Sequence, residues 1–472
     1  MQDLMPKIIS LCKRRGFIFQ SSEIYGGVEG LWDLGPLGAL MKNNLREFWI
    51  KRFILEEENV VLIDGTVLMH PKTWEASGHL EHFTDPLVEC KNCHQRFRAN
   101  HMASGRFIGQ GKAEEKNQCP NCGKKEFTDP KMFNLMFKTF LGPIEDEAHQ
   151  SYLRPETAQS MFANFQNVLN SSRLKIPFGI AQIGRSFRNE ITLGDFIFRS
   201  REFDLAEIEY FVEPGEDEKY FEIWLKKWEK FFLDLGIKKE NLRKFEHPKE
   251  SLAHYSKRTV DIEYKFPFGW AELAGVANRT DYDLKRHSQF SGQDLSYYDE
   301  DSKKRHFPYV IEPTMGLERA ILAILCDAHH EIKCGRTKTT ESTKEIEIVL
   351  KLDKKIAPIK VAVLPLVRNK PELVKKAKEV YQLLKSHFVC QYDELGSIGR
   401  RYRRQDEIGT VFCLTVDFES LKQDDLTVRD RDTMKQERVK IEGLVKVLKE
   451  KLDYNPPTAS SHFSLRSEQA PN

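Results

Sequence analysis

RSFRNEITLGDFIFRSREFDLAE, residues 185–207, sets two charged strands around a short turn at Thr192-Leu193-Gly194-Asp195. Strands carry this many arginines and carboxylates when the charges meet something. Side chains alternate between the two faces of a strand, so Arg188 and Glu190 share one face of the first, and Arg201, Phe203 and Glu207 share one face of the second. One sheet surface then offers cations, a flat ring and carboxylates side by side. Arginine forks match phosphate oxygens, and an aromatic face stacks on a base or covers a cation. The set suits a nucleoside triphosphate beside a small ammonium-bearing molecule. An exposed hairpin laced with surface ion pairs, each contributing little, draws on the same residue types.

A chain of 472 residues exceeds one ordinary domain, so two or three are expected. Its 40% hydrophobic and 31% charged content fits a soluble globular protein. With a net charge of only +2, nucleic-acid binding has to come from local basic patches. The opening MQDLMPKIISLCKRRGF lacks the apolar core of a signal peptide, and no apolar run is long enough to span a bilayer. No membrane partner and a cytoplasmic location are therefore expected. Of the nine cysteines, four form two CxxC pairs and five are scattered, a pattern of a reducing compartment with a metal site rather than a disulfide scaffold.

Outward from the charged stretch, apolar periodicity marks the organisation. Residues 41–58 read as an amphipathic helix, with Leu45, Phe48, Trp49 and Phe53 on one face, followed by a strand-like VVLIDGTVLM at 60–69. Residues 85–130 are polar and carry both CxxC pairs, so they read as an insertion. Residues 213–260 read as a second, helical insertion whose Phe221, Trp224, Trp228, Phe231, Phe232 and Leu235 pack on the body. Strands return from 260, with a helix from about Gly316 to His329. Residues 337–356 form a charged connector, and alternating strands and helices from Ala357 predict an α/β domain of about 100 residues. The expected layout is a first domain over 1–345, a second over 357–453 and a disordered tail over 454–472.

Cys90 and Cys93 bracket two residues, as do Cys119 and Cys122, the latter in CPNCG with turn-forming Pro and Gly. Four thiolates from two such knuckles match tetrahedral zinc, and four cysteines leave no open position for catalysis, so a structural ion is expected. A degenerate knuckle without metal is the alternative. The nearby His94 and His101 read as surface histidines.

The segments FRNE (187–190) and FRSREF (198–203) resemble motif 2 of the class II aminoacyl-tRNA synthetases, and the wording RNEITLGDFIFRSREF resembles the homodimeric glycyl-tRNA synthetase family. By that resemblance Arg188 would hold the ATP α-phosphate, Glu190 would meet the adenine amino group and Phe203 would stack on the ring, with Asn189, Phe198, Arg199, Ser200, Arg201 and Glu202 completing the motif. VIEPTMGLER (310–319) resembles motif 3, in which Arg319 would meet the γ-phosphate beside Gly316, Leu317 and Glu318. An arginine near a helix N-terminus is electrostatically poor unless an anion sits there. FGWAELAGVANRTDYDL (268–284) would place Glu272 and Leu273 at the ATP and magnesium site, and YLRPETAQ (152–159) would aim Glu156 at the substrate amino group. Arg98 in RFRAN would reach the glycine carboxylate or adenylate, while Phe203, Asp204, Leu205, Ala206, Glu207, Glu312, Pro313, Thr314, Met315 and Gly316 would line the amino-acid pocket. Three further blocks also match: SEIYGG (22–27), LWDLGPLG (31–38) and HPKTWEASGH (70–79). A long helix followed by a strand is how class II motif 1, the family's dimer interface, is built. YDELGSIGRRYRRQDEIGTVFCLTVD (392–417) resembles a class IIa anticodon-binding domain, with Arg400, Arg401, Arg403 and Arg404 as a basic cluster for tRNA or else a solvated basic turn.

The resemblance spans nearly all of Phe17 to Ile441. It implies an α+β chain: a class II antiparallel-sheet catalytic domain with a zinc-knuckle insertion, plus a C-terminal α/β anticodon-binding domain. The implied activity is ATP-dependent attachment of glycine to tRNA(Gly) through a glycyl-adenylate, by a homodimer using ATP, Mg2+ and structural Zn2+. A catalytically inactive synthetase-like RNA-binding or accessory protein is the alternative, which could lose Arg188, Glu190 and Arg319 at no cost, yet all three are present. A third reading keeps the class and changes the amino acid. Glycine offers no side chain to grip, so the site holds its ammonium and carboxylate and excludes larger molecules by clash, with little need for editing. The chain departs from the family pattern at Thr314 (usually Ser), at Asp204 and Leu205 in FDLAE (usually FEQxE) and at Ala274 (often Trp).

Overall fold

The computed structural model describes residues 4–99, 117–191, 193–333 and 346–453. Thr192 of the charged turn, His101, the whole 337–345 stretch and the 454–472 tail lie outside the described residues. Two compact units divide between His329 and His330. Among the described residues, no helix is long and apolar enough to cross a membrane.

The first unit is built on a seven-stranded sheet: β1 (Val60–Leu62), β2 (Phe178–Phe187), β3 (Glu202–Val212), β4 (Leu242–Glu246), β5 (Arg258–Phe266), β6 (Gly269–Thr280) and β7 (Tyr309–Gly316), in the order β4-β5-β6-β7-β3-β2-β1. Every pairing is antiparallel except that of the edge strand β1 with β2. Strand β3 shows how the pleat sorts chemistry. Phe211, two-residue steps from Glu207, is buried with Phe162, Phe165 and Phe178 in one core cluster. On the opposite face the Tyr210 ring meets Trp224 at 5.2 Å. Trp224 belongs to the Asp217–Asp234 helix, whose Phe221, Trp228, Phe231 and Phe232 are also buried, with Phe53 at 4.9 Å from Trp228. Burying each such ring contributes about 1.5–3 kcal/mol before entropy is counted. Within the expected second insertion, this helix covers the sheet and Leu242–Glu246 adds its outermost strand.

Several boundaries differ from the sequence reading, and the expected charged connector over 337–356 contains a strand, Ile346–Leu350. The charged strands are shorter: β2 ends at Phe187 and β3 begins at Glu202, and the described residues between them form a loop with one 3-10 turn, Phe196–Phe198. Asp195 and Phe196 both take positive φ, 54° and 63°, which breaks any strand. The helix expected over 41–58 starts at Pro36, whose fixed φ suits a first turn, and passes into a π-helical turn, Lys51–Leu55. Only Val60–Leu62 of the 60–69 stretch pairs as a strand. In the polar insertion, Thr84–Glu89 pairs with Arg96–Arg98 and with Lys131–Asn134.

The second unit carries a five-stranded mixed sheet in the order Cys390–Tyr392, Val361–Pro365, Phe412–Val416, Asp425–Asp430, Gln436–Lys440. Its first three strands are parallel, and the unbroken burial of the inner two, Val361–Pro365 and Phe412–Val416, is what parallel strands covered on both faces require. The Pro371–Leu384 helix buries Leu373, Ala377, Val380 and Leu384 at helical spacing. Arg429 and Asp406 form a bidentate buried pair, 2.9 Å at each contact.

Candidate active site

Strands β3, β7 and β6 lie side by side, with Glu207 opposite Thr314 and Thr314 opposite Gly275. Over this floor opens a cavity of about 220 Å³ that brings together Glu156, Arg188, Glu190, Phe198, Arg199, Ser200, Phe203, Leu205, Glu207, Glu272, Glu312, Thr314, Met315, Gly316, Glu318 and Arg319. Alternation puts Phe203, Leu205 and Glu207 of β3 in the cavity. Glu272 owes its place to a β-bulge: Ile262 pairs with Ala274 and Glu263 with Glu272, leaving Leu273 unmatched. The extra residue shifts the parity of β6 and turns Glu272 to the face of Gly275 and Thr314.

One end of the cavity is cationic and aromatic. Arg319, on the first turn of the Leu317–Ala328 helix, donates from Nε to the Phe198 carbonyl at 3.1 Å and pairs with Glu272 Oε2 at 2.7 Å. Its guanidinium also lies 4.6 Å from the centre of the Phe198 ring. Arg188 donates from Nε to the Pro155 carbonyl at 3.1 Å and sits 5.4 Å from the ring centres of Phe203 and Phe83. Glu190 accepts from Arg98 Nη2 at 2.7 Å, and the same nitrogen meets Asp85. Cations stacked on rings and tethered to carbonyls are pre-aimed for a polyanion.

The other end gathers buried carboxylates. Glu207 Oε2 accepts the Thr157 backbone N–H at 2.7 Å and the Thr157 hydroxyl, and its Oε1 accepts from Thr314 Oγ1 at 3.1 Å. Glu156 accepts from Gln159 Nε2 at 2.8 Å and lies 3.4 Å from His79 Nε2. Glu312 accepts from Arg279 Nη1 at 2.7 Å. Burial pushes the Glu312 carboxyl up to about 8, with Arg279 opposing. Burial and the neighbouring Glu156 also raise Glu207, against the Thr157 donors. At Glu156 burial is the largest influence and works upward, but His79, the Arg279 guanidinium and the Gln159 amide together outweigh it and hold the carboxyl low. Such crowding of acids suits a cationic ligand, whose charge relieves their repulsion. Thr314 Cγ2 lies on the Gly275 side, so its methyl points along the sheet.

Several expected residues lie elsewhere. Asp204 and Ala206 occupy the opposite face of β3 by parity, and Asp204 pairs there with Lys42 and Arg185. Asn189, Leu273, Pro313 and Leu317 do not line the cavity, nor does Ala274. Arg201 donates to the Glu29 carbonyl at 2.8 Å, and Glu202 pairs with Arg185. Tyr255 and Arg279 were not expected: Tyr255 lines the cavity with its ring 3.8 Å from the Arg279 guanidinium. Arg279 lies at the end of β6 and Asp283 at the start of the following helix, so their 2.7 Å contact is made across a turn and leaves no periodic signal. Tyr255 sits in a loop with none either.

Cys90, Cys93, Cys119 and Cys122 converge, all four Sγ within 4.8 Å of one another and two pairs at 3.6 Å. A tetrahedral ion with Zn–S bonds of about 2.3 Å spaces its sulfurs at about 3.8 Å, so the set fits. Matching turns hold the knuckles, with His94 and Gly123 at φ 57° and 72° and their N–H groups on Cys90 and Cys119 carbonyls at 2.9 and 2.8 Å. His94 points to Glu89 instead of the thiols.

The basic cluster of the second unit divides. Arg400 is exposed, but Arg401 is fully buried and donates to the carbonyls of Pro365 and Leu366. Arg404 holds Asp393 at 2.6 Å. The expectation of four arginines facing RNA is corrected for Arg401, which closes backbone carbonyls at the end of a parallel strand.

A family model described as "tRNA synthetase class II core domain (G, H, P, S and T)" matches residues 137–328, and one described as "Anticodon binding domain" matches residues 360–451. A relative named Glycine--tRNA ligase from Streptomyces coelicolor is 53% identical over 450 residues, 94% of this chain and 97% of the relative. One from Clostridium acetobutylicum is 51% identical over 467 residues, 95% of this chain and 98% of the relative. Giardia lamblia prolyl-tRNA synthetase in complex with prolyl-adenylate, a solved structure, aligns with a TM-score of 0.66 at 16% identity over 96% of this chain and 79% of that one, a likeness of fold. The first unit has the class II synthetase core, the second has the anticodon-binding fold, and the chain belongs to the glycine--tRNA ligase family.

Proposed function

We propose that this chain attaches glycine to its tRNA at the expense of ATP. The observation that carries the reading is one cavity with arginines stacked on rings at one end and Glu156, Glu207 and Glu312 buried at the other. The carboxylates grip the ammonium of an amino acid that has no side chain to recognise. A carboxylate oxygen of glycine forms a bond to the α-phosphorus as the bond to pyrophosphate breaks. The tRNA 3′-terminal hydroxyl then attacks the glycyl carbonyl carbon, loses its proton and releases AMP. No protein nucleophile is needed, so catalysis is positioning and charge stabilisation. Arg188 and Arg319 act on the α- and γ-phosphates, Phe203 stacks on the base, and Glu190 takes the adenine amino group once Arg98 turns to the substrate carboxylate. Glu272, a hard oxygen donor nearly half exposed at the phosphate end, would hold Mg2+, which would supply positive charge against the phosphates. The four cysteines would hold Zn2+ in a structural role. Because all eight described cysteines are free, we place the protein in the cytoplasm, and we assign a homodimer on the motif 1 resemblance.

Glycine-dependent exchange of pyrophosphate into ATP tests the reading, with alanine and serine as competitors. Exchange with glycine alone, abolished by Arg188→Ala, is expected. No exchange with any of the three sinks the ligase reading, and preference for alanine sinks the substrate.

A further inference from the structure

On the face of β3 away from the cavity, Lys42 of the Pro36–Ile50 helix is buried between two carboxylates. Its Nζ lies 2.7 Å from Asp204 Oδ2 and 2.7 Å from Glu318 Oε1. The other oxygen of Glu318 accepts the Asp204 backbone N–H at 2.9 Å. Asp204 keeps a second cation, Arg185, whose Nε is 2.6 Å from Oδ1, whereas Lys42 is the only cation paired with Glu318 among the described residues. Glu318 stands in the wall between two cavities. One holds Arg188, Arg199 and Arg319, and the other, about 460 Å³, is lined by Lys42, Arg46, Arg185 and Asp204. Glu318 also directly precedes Arg319 on the helix's first turn. A carboxylate released from Lys42 would be drawn to the three arginines and would occupy the positive charge that a triphosphate needs.

We propose that Lys42 is a positioning residue for the nucleotide end of the site: it holds Glu318 on the far side of the wall and so keeps Arg188, Arg199 and Arg319 available to phosphate. This rests on reading that end as the ATP site. The geometry makes a prediction that a merely structural lysine does not. Harm from losing Lys42 is harm done by Glu318, so removing the charge of Glu318 as well relieves it.

The experiment is pyrophosphate exchange by the full chain. Lys42→Met is expected to raise KM for ATP about tenfold and leave KM for glycine within about twofold. The double variant Lys42→Met, Glu318→Gln is expected to return KM for ATP to within about threefold of the wild type. A double variant as impaired as Lys42→Met, or equal rises in both KM values, overturns the proposal. Should Lys42→Met fail to fold, Lys42→Ala, which also leaves Glu318 without its donor, carries the same comparison, and no relief by Glu318→Gln overturns it. ATP affinity by calorimetry is measured alongside. Failure of the wild type to exchange pyrophosphate with glycine then counts against the assigned activity, while the calorimetric comparison still decides the role of Lys42.

Discussion

Arg279 donates from Nη1 to Glu312 at 2.7 Å while its Nε and Nη2 clasp Asp283 at 2.7 and 2.9 Å. The arginine is 1% exposed, and its guanidinium also lies 3.9 Å from Glu156 and under the Tyr255 ring. It is thus the counter-charge for an acidic pocket. Breaking a buried pair by removing one partner leaves the other's charge uncompensated, at a cost of about 3–5 kcal/mol. Arg279→Met is expected to lose that much in urea unfolding and to raise KM for glycine more than KM for ATP. A loss below about 1 kcal/mol counts against the assignment. Arg279→Lys, without the fork that serves two carboxylates, recovers little.

Glu312 gives a pH dependence of opposite sign for binding and stability. Its carboxyl is pushed up to about 8 by burial, against about 4.3 in an unfolded chain. A raised folded-state pKa contributes stability that is fully present below the unfolded value and is lost as pH rises through the folded one. Stability of the ligand-free protein is therefore expected to fall between about pH 5 and pH 8, by up to about 1.4 kcal/mol per pH unit. Over pH 7 to 9 the carboxylate charges, so kcat/KM for glycine rises. Glu312→Gln makes the stability profile shallower, with Glu207 keeping part of the slope, and removes the rise. Thermal melts and exchange rates across that range check both limbs, and a wild-type stability that climbs toward pH 8 contradicts the assignment.

Within residues 185–207 period-two alternation applies to β3 alone, since Arg188 and Glu190 reach the cavity from the loop after β2. It places Phe203 and Glu207 together wherever β3 lies. The same rule places Asp204 on the other face, where only the fold reveals Lys42 as its partner. Glu272 could not be derived, since its orientation depends on the bulge at Leu273, which the pairing with β5 creates. Arg401 shows the limit of composition. Four arginines within five residues read as a basic patch, yet helical geometry turns one into the interior. Tyr255 reaches the cavity through loop packing that leaves no periodic trace.

The thiol cluster predicts one zinc per chain. Hydrogen bonds, chiefly from Asn121, lower Cys93 to about 6, so a thiolate is available at neutral pH, while burial pushes Cys119 up to about 12 in the absence of a cation. Metal binding to such a pair releases protons. Atomic absorption is expected to find one equivalent, and Cys119→Ser or a strong chelator to remove it. Loss should raise hydrogen exchange in the Thr84–Glu89, Arg96–Arg98 and Lys131–Asn134 strands while Phe178–Phe187 stays protected. Absence of zinc from protein purified without chelator would make this a knuckle that has lost its metal.

Arg400 and Arg401 are neighbours in sequence with opposite expected behaviour. Arg401 Nη2 donates to Leu366 O at 3.0 Å and Nη1 to the Pro365 carbonyl, so truncation leaves two buried acceptors without donors, each worth about 1–3 kcal/mol. Arg401→Ala should lower the unfolding midpoint of the second unit and leave pyrophosphate exchange intact. Arg400 is exposed, and Arg400→Ala should stay within about 0.5 kcal/mol of the wild type in stability. If Arg400 meets tRNA phosphate, its loss raises KM for tRNA and lowers the salt dependence of charging by roughly one counterion. Unchanged KM for tRNA, with an unchanged salt slope, would make Arg400 a solvated basic side chain.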